Sequence, residues 1–291
     1  MAISAQQVKE LRERTGAGMM ECKTVLAEAG GDMEAAIDLL RKRGLAKADK
    51  KAGRVAAEGV VVTAASADQK RAVLLEVNCE TDFVAKNEEF LAFARRGAEQ
   101  ALADSVADVS ALGTGALEEQ RKELVSRLGE NIALRRLHSL GVDSGLVGAY
   151  LHGGRIGVLV SVEGDAATAE LTRDLAMHVA ASRPEVVRPE DVSPGRVARE
   201  KEILVAQAAE SGKPADIVEK MIAGRLNKLL GEIALTGQPF VKNPDQSVGA
   251  LVASFPGCRV REFVRFEVGE GIEKGPAADF ASEVMAQVRG S

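Results

Sequence analysis

The sequence has no tryptophan, one tyrosine (Tyr150) and 3% aromatic residues over 291 positions. A core without large rings must be filled by Ala, Val, Leu and Ile, and alanine in such supply leans towards helix. Cysteine is as scarce. Cys22, Cys79 and Cys258 are odd in number, far apart and free of C-x-x-C spacing, so neither a disulfide framework nor a zinc ribbon is expected. No run of about 18 apolar residues occurs, so no membrane span is expected. The N-terminus lacks an apolar stretch behind a basic start, so no secretory signal is expected either. Free thiols fit a reducing compartment, and the expectation is a cytoplasmic protein.

What is present is ordinary for a folded chain: 46% hydrophobic and 28% charged residues, with a formal net charge of -5. That balance argues against non-specific binding to phosphate backbones. One basic stretch (Arg41, Lys42, Arg43, Lys47, Lys50, Lys51, Arg54), interrupted by Asp49, reads as a solvated linker in preference to a nucleic-acid groove.

Residues 1–45 read as three short helices. Ser4 and Gln7 form a capping box ahead of Val8 and Leu11. Gly16 and Gly18 break the chain, and a helix from about Met19 to Ala29 turns Cys22, Val25 and Leu26 inward. Asp32 caps a third helix with Ala36, Ile37 and Leu40 inward, ending at Gly44. The unit looks like a ubiquitin-associated-type module, tied to the rest by a basic linker over 46–57.

The period then changes. Glu58–Thr63 and Arg71–Val77 are β-rich runs around the turn Ser66-Ala67-Asp68-Gln69. Asn87, followed by two acids, caps a helix whose stripe is Phe90, Ala94, Ala98 and Ala101. The same order returns as Leu146–Leu151, the turn Gly153-Gly154, Ile156–Val162 and a helix from about Ala167 to Ala181 with Leu171, Leu175 and Val179 inward. Strand, turn, strand, loop, helix thus occurs twice, giving an α+β fold of two related subdomains with antiparallel sheets, over 58–140 and from 141 onward. Between 184 and 235 the helical period takes over, with Val197, Ile203 and Leu204 on one stripe and Ile217, Met221, Leu229 and Ile233 on the next. Gly212-Lys213-Pro214 divides them, so the segment reads as an inserted antiparallel helical hairpin. The second subdomain (141–183, then 236–275) resumes with sheet pattern at Val248–Phe255 and Val260–Val268, and a C-terminal helix over 276–291 bears Phe280, Val284 and Val288.

Catalytic chemistry finds little support. None of His138, His152 and His178 sits in a metal or nucleophile motif. His178 shares a helix face with Leu175 and Val179, which favours a packing or surface role. Gly16-Ala17-Gly18 and Gly269-Glu270-Gly271 do not continue into a phosphate-binding loop and read as turn glycines. No H-E-x-x-H, G-x-S-x-G or S-x-x-K occurs.

The sharper signal is Thr81-Asp82-Phe83-Val84, between the strand ending near Asn78 and the helix that Asn87 caps unaided. Two readings stand side by side. Asp82 caps a local turn while Phe83 and Val84 tuck into the core, as most loop aromatics do. Alternatively the turn projects as a wedge, with Phe83 a rigid apolar anchor and Asp82 a charge competing for polar partners in another protein.

The segment Glu76-Val77-Asn78-Cys79-Glu80-Thr81-Asp82-Phe83-Val84-Ala85-Lys86 resembles the signature of the elongation factor Ts family, and Arg14 to Lys23 (RTGAGMMECK) is similar to its N-terminal motif. Ala176 to Ser182 (AMHVAAS), Leu235 to Val241 (LTGQPFV) and Phe266 to Ile272 (FEVGEGI) agree as well, in order along the chain. Two departures, Glu21 and Asn87 where Asp is common, keep acceptor chemistry. The resemblance implies a guanine-nucleotide exchange factor without bond chemistry of its own and without cofactor or metal. Its partner would be elongation factor Tu, with no direct nucleic-acid contact and no membrane. Arg12, Met19 and Met20 would dock the helical module. Thr81, Asp82, Phe83 and Val84 would enter near the nucleotide and displace magnesium. His152, Phe280 and Val284 would add contacts from the second subdomain and the final helix. Self-association as a homodimer through the hairpin stays open.

Three rival readings remain: a scaffold that leaves nucleotide release unaffected, a small-molecule enzyme with a deep polar pocket, and RNA binding through the basic stretch.

Overall fold

The computed structural model describes residues 3–209 and 214–273. Three helices open the chain, with the starts that the sequence implied. Helix α1 (Ala5–Thr15) opens on the expected capping box, Ser4 Oγ accepting from Gln7 N at 3.2 Å and Gln7 Oε1 from Ser4 N at 3.0 Å. Helix α2 (Met19–Glu28) follows, then α3 (Met33–Lys51), capped by Asp32 Oδ1 on Ala35 N. Val8, Leu11, Cys22, Val25, Leu26, Ala36 and Leu40 make their small core.

The expected stop at Gly44 does not occur, and the basic segment is not a free linker: α3 runs through it to Lys51. Tertiary packing overrides the helix cost of glycine, about 1 kcal/mol. A Cβ on Gly44 would lie 3.2 Å from Ser126 Oγ, so a larger residue here would need that side chain to give by a few tenths of an ångström. One turn on, Ala48 is fully buried in the main core, and Lys51 Nζ donates to the carbonyl of Gly129.

Strands β1 (Glu58–Ala65) and β2 (Arg71–Cys79) pair antiparallel around the predicted turn. A one-turn helix α4 (Asp82–Ala85) leads into α5 (Glu88–Ala103), which buries Phe90, Phe93, Ala94, Ala98 and Ala101 against them. Three elements of this subdomain lie outside the sequence expectations: α6 (Val109–Leu112), α7 (Gly115–Leu128) and β3 (Ala133–Gly141), which completes a β1-β2-β3 sheet. The charged run Arg135, Arg136 and His138 hid the strand, because partners elsewhere in the fold take up its charges.

The second sheet consists of β4 (Leu146–His152) and β5 (Ile156–Glu163), covered by α8 (Ala169–Ser182). Helices α9 (Pro194–Ala209) and α10 (Ala215–Ile233) pack on each other. Glu185 N donates to the Ile233 carbonyl and ties their base to the subdomain. Ile203 and Ile217, expected inward, are exposed, as is Val205. A short hairpin of β6 (Pro239–Phe240) and β7 (Asn243–Ser247) precedes α11 (Val248–Ala253), and β8 (Arg259–Glu267) closes the sheet in the order β4-β5-β8. The sheet expectation for Val248–Phe255 is therefore overturned. Ser247 Oγ caps Ala250 N at 3.1 Å, and Val248 and Val252, four apart, share the buried side of a helix. The expected final helix with Phe280, Val284 and Val288 lies outside the described residues.

The α+β architecture is thus two three-stranded antiparallel sheets, each with a helix on its outer face. Their inner faces meet through Val61, Leu74, Leu140, Val147, Leu159 and Phe266. At Gly157 the approach is so close that a Cβ would stand 2.4 Å from Val61 Cγ1 and 2.7 Å from Leu74 Cδ1.

Candidate functional site: a projecting turn

Beyond Cys79 the chain leaves β2, and Thr81, extended at φ -123° and ψ 158°, caps α4 with its hydroxyl accepting from Val84 N at 3.4 Å. Asn87 Oδ1 takes Glu89 N and Phe90 N of the next helix, at 2.9 and 3.3 Å. Asn87 caps α5 as the sequence implied, whereas the cap of α4 is Thr81, which the sequence did not single out for that role. Of the two readings of Phe83, burial is excluded: the residue is 82% exposed. Val84 and Ala85 point the other way and are buried in the first subdomain's core, pinning the turn from below. Asp82 is not the cap; its carboxylate pairs with exposed Lys86 at 2.7 Å. Such a surface pair is weak and easily exchanged for another partner. Of the four predicted residues, Asp82 and Phe83 face outward, whereas Thr81 and Val84 hold the turn in place.

A residue that sequence reasoning missed sits beneath. Glu130 Oε2 accepts from Glu80 N at 3.0 Å and Thr81 N at 2.9 Å, and its Oε1 accepts from the Thr81 hydroxyl at 2.5 Å. In return Glu80 Oε1 accepts from Asn131 N at 2.6 Å. Nothing in the sequence links positions about fifty apart; the signal exists only in three dimensions.

In the helical module Arg12, Met19 and Met20 are all exposed, Met20 by 72%. Met20 is therefore not core. His152 ends β4, exposed, its Nδ1 3.2 Å from the Tyr150 hydroxyl. The β4–β5 turn it enters lies beside the start of β1, where Val61 N donates to the Gly154 carbonyl at 2.7 Å and Arg155 pairs with Glu58 at 2.8 Å. Glu58 is in register with Cys79, so this turn and the Thr81–Ala85 turn leave the same end of the paired sheets.

The buried thiol of Cys79 and the buried imidazole of His178 are shielded or occupied. The Cys79 thiol is buried and pushed up to about 12 by desolvation, reinforced by the Glu130 charge. His178 is buried and spent on Gln238 and Val241. No group of three or more His, Cys, Asp or Glu among the described residues could hold a metal ion. The cleft lined by Arg14, Ile37, Leu40, Arg41, Glu123 and Arg127 has its cations paired: Arg14 with Glu34 at 2.7 Å, Arg41 with Glu119 at 2.5 Å and Arg127 with Glu89 at 2.9 Å. No described helix is long and apolar enough to cross a membrane.

Residues 80–270, which begin at the base of the projecting turn, match the family described as Elongation factor TS. Over its whole length the chain is 76% identical to the elongation factor Ts of Acidithiobacillus ferrooxidans, and all of that protein is covered. It is 57% identical to that of Thioalkalivibrio sulfidiphilus and 56% to that of Methylococcus capsulatus, each again over the full length of both chains. The chain belongs to the elongation factor Ts family. As an elongation factor Ts family member it is an elongation factor of protein biosynthesis, and Phe83 is its most exposed aromatic residue among the described residues.

Proposed function

We propose that the protein is a guanine-nucleotide exchange factor that binds elongation factor Tu carrying GDP, inserts Asp82 and Phe83 near the nucleotide, displaces the magnesium ion there and releases GDP so that GTP binds. The observation that carries this reading is the 82% exposure of Phe83 on a turn anchored by the buried Val84 and Ala85. With its backbone fixed by the buried Val84 and Ala85, the turn loses little backbone entropy on insertion. The Asp82 carboxylate, engaged with one exposed lysine, competes for polar groups at the partner's ion site.

The three-helix unit serves as the ubiquitin-associated-like docking module through Arg12, Met19 and Met20. The second subdomain contributes His152, and the terminal segment Phe280 and Val284. The pair α9 and α10 is the inserted antiparallel hairpin. This action places the protein in the cytoplasm.

No acid, base or nucleophile is required, because exchange makes and breaks no covalent bond. GDP on such a GTPase is held by backbone amides, a lysine and magnesium. A factor that binds the nucleotide-free form more tightly weakens GDP by the same ratio, since linkage is reciprocal. About 4 kcal/mol of differential binding changes nucleotide affinity about a thousandfold.

Stopped-flow release of a fluorescent GDP analogue from elongation factor Tu tests the proposal. Phe83→Ala is expected to fold normally and to slow release. A scaffold would bind without accelerating release, and an unchanged rate in Phe83→Ala rejects the wedge.

A further inference from the structure

We propose that Glu130 is a positioning residue for the wedge, and that the segment Gly129–Asn131 sets the wedge's attitude relative to the helical module; this rests on the exchange reading above. Val84 and Ala85 anchor α4 by apolar contact, which resists withdrawal but not rotation. The direction in which Phe83 leaves the protein is set by the backbone at Glu80 and Thr81. There one carboxylate oxygen receives two consecutive N–H groups, at 3.0 and 2.9 Å, while the other receives the Thr81 hydroxyl at 2.5 Å. Bonds to an ionised acceptor are about twice as strong as neutral ones. Two adjacent amides converge on one oxygen over a narrow range of backbone angles, so Glu130 holds the peptide that launches the turn.

The same segment grips the module. Asn131, 4% exposed, donates its amide to the carbonyls of Ala52 at 3.3 Å and Arg54 at 2.8 Å, just past the end of α3. Lys51 Nζ donates to the Gly129 carbonyl, and Arg54 lies 3.6 Å from Glu80. Residues 129–131 therefore touch the root of the wedge on one side and the end of the docking module on the other. Neither binding surface contains Glu130, which is half-buried between them. Its effect on exchange runs through Phe83.

That claim makes the test a double-mutant cycle on GDP release with the full chain, read as the release rate at saturating factor and the factor concentration giving half that rate. Glu130→Ala is expected to lower the saturated rate about tenfold, because small misplacements of a working group are costly. The half-saturating concentration should stay within about twofold. Glu130→Gln, whose carbonyl oxygen still accepts both N–H groups and whose amide meets the Thr81 hydroxyl, is expected to restore the rate to within about twofold. In the Phe83→Ala background, Glu130→Ala should add less than about twofold, since there is no ring left to aim. If Glu130→Ala fails to fold, Glu130→Asp, which keeps the charge but not the reach, takes its place in the cycle. A full tenfold loss persisting without the ring overturns the positioning role, as does wild-type release from the Glu130 variants while Phe83→Ala is slow. An unchanged rate in Phe83→Ala alone rejects the exchange mechanism instead.

Discussion

Arg136 Nε lies 2.5 Å from Oε2 of Glu76, a carboxylate with no exposed surface at the centre of β2. Arg135 Nη1 reaches both oxygens of the same carboxylate, at 3.0 and 3.1 Å, and Gly269 N donates to Oε1 at 2.8 Å. The Arg136 guanidinium also stacks 4.2 Å from the centre of the Phe266 ring and donates to the Glu267 carbonyl at 2.9 Å. One buried charge thus joins the first sheet to the end of β8 in the second. Removing it leaves two cations and an amide facing the vacancy. Glu76→Ala is expected to cost about 3–5 kcal/mol of stability, measured by urea unfolding, with Glu76→Gln costing less because it still accepts hydrogen bonds.

The module surface makes a separable prediction. Met20 is 72% exposed at the start of α2, so a charge there meets water in the free protein. Met20→Asp should leave the unfolding temperature unchanged and raise the concentration needed for half-maximal GDP release by about tenfold or more, as expected of an interface anchor. Loss of thermal stability would place the side chain in the module's core.

His178 contributes a pH dependence whose sign follows from its bonds. Its Nδ1 accepts from Val241 N at 3.1 Å, so Nε2 carries the proton and donates to Gln238 Oε1 at 2.9 Å. Desolvation lowers its pKa, only partly opposed by the Gln238 bond. In the unfolded chain the ring takes up a proton near its ordinary value of about 6.5, while the folded ring resists. The unfolded state therefore binds more protons below about pH 6.5, and stability falls with pH from there down to the folded pKa. Urea midpoints at pH 7.5 and 5.5 should differ less in His178→Asn than in the parent protein.

The contact between the sheets is intolerant of added volume at Gly157. With Val61 Cγ1 2.4 Å and Leu74 Cδ1 2.7 Å from the position of a Cβ, Gly157→Ala forces these two buried side chains to shift. A loss of about 1–3 kcal/mol is expected from overpacking, read as a lower melting temperature with GDP release at low temperature preserved.

The parts of the fold legible in the sequence are those whose determinants lie within a few residues. Ser4 with Gln7, Asp32 and Asn87 name helix starts because a side-chain oxygen and the amides it caps are neighbours in the chain. The β1–β2 and β4–β5 hairpins were visible because dense β-branched runs flank polar or glycine turns. Where local and tertiary preferences conflict, reading failed. Gly44 signals a helix end, yet α3 continues because Ala48 is drawn into the main core. Val248–Phe255 looks like a strand, yet a serine cap and burial at Val248 and Val252 make it α11. In β3 the charges of Arg135 and Arg136 masked the alternation, because the carboxylate that accepts them, Glu76, lies about sixty residues away.

The sequence by itself determined the family, the helix starts, the two hairpins, and that Asn87 caps its helix without help from Thr81–Val84, because each depends on chemistry shared by near neighbours along the chain. Only the tertiary structure decided that Phe83 faces solvent while Val84 is buried, and that Glu130 and Asn131 hold the base of that turn against the end of α3. The orientation of a side chain depends on which surfaces surround it, and those surfaces come from segments that only folding brings together.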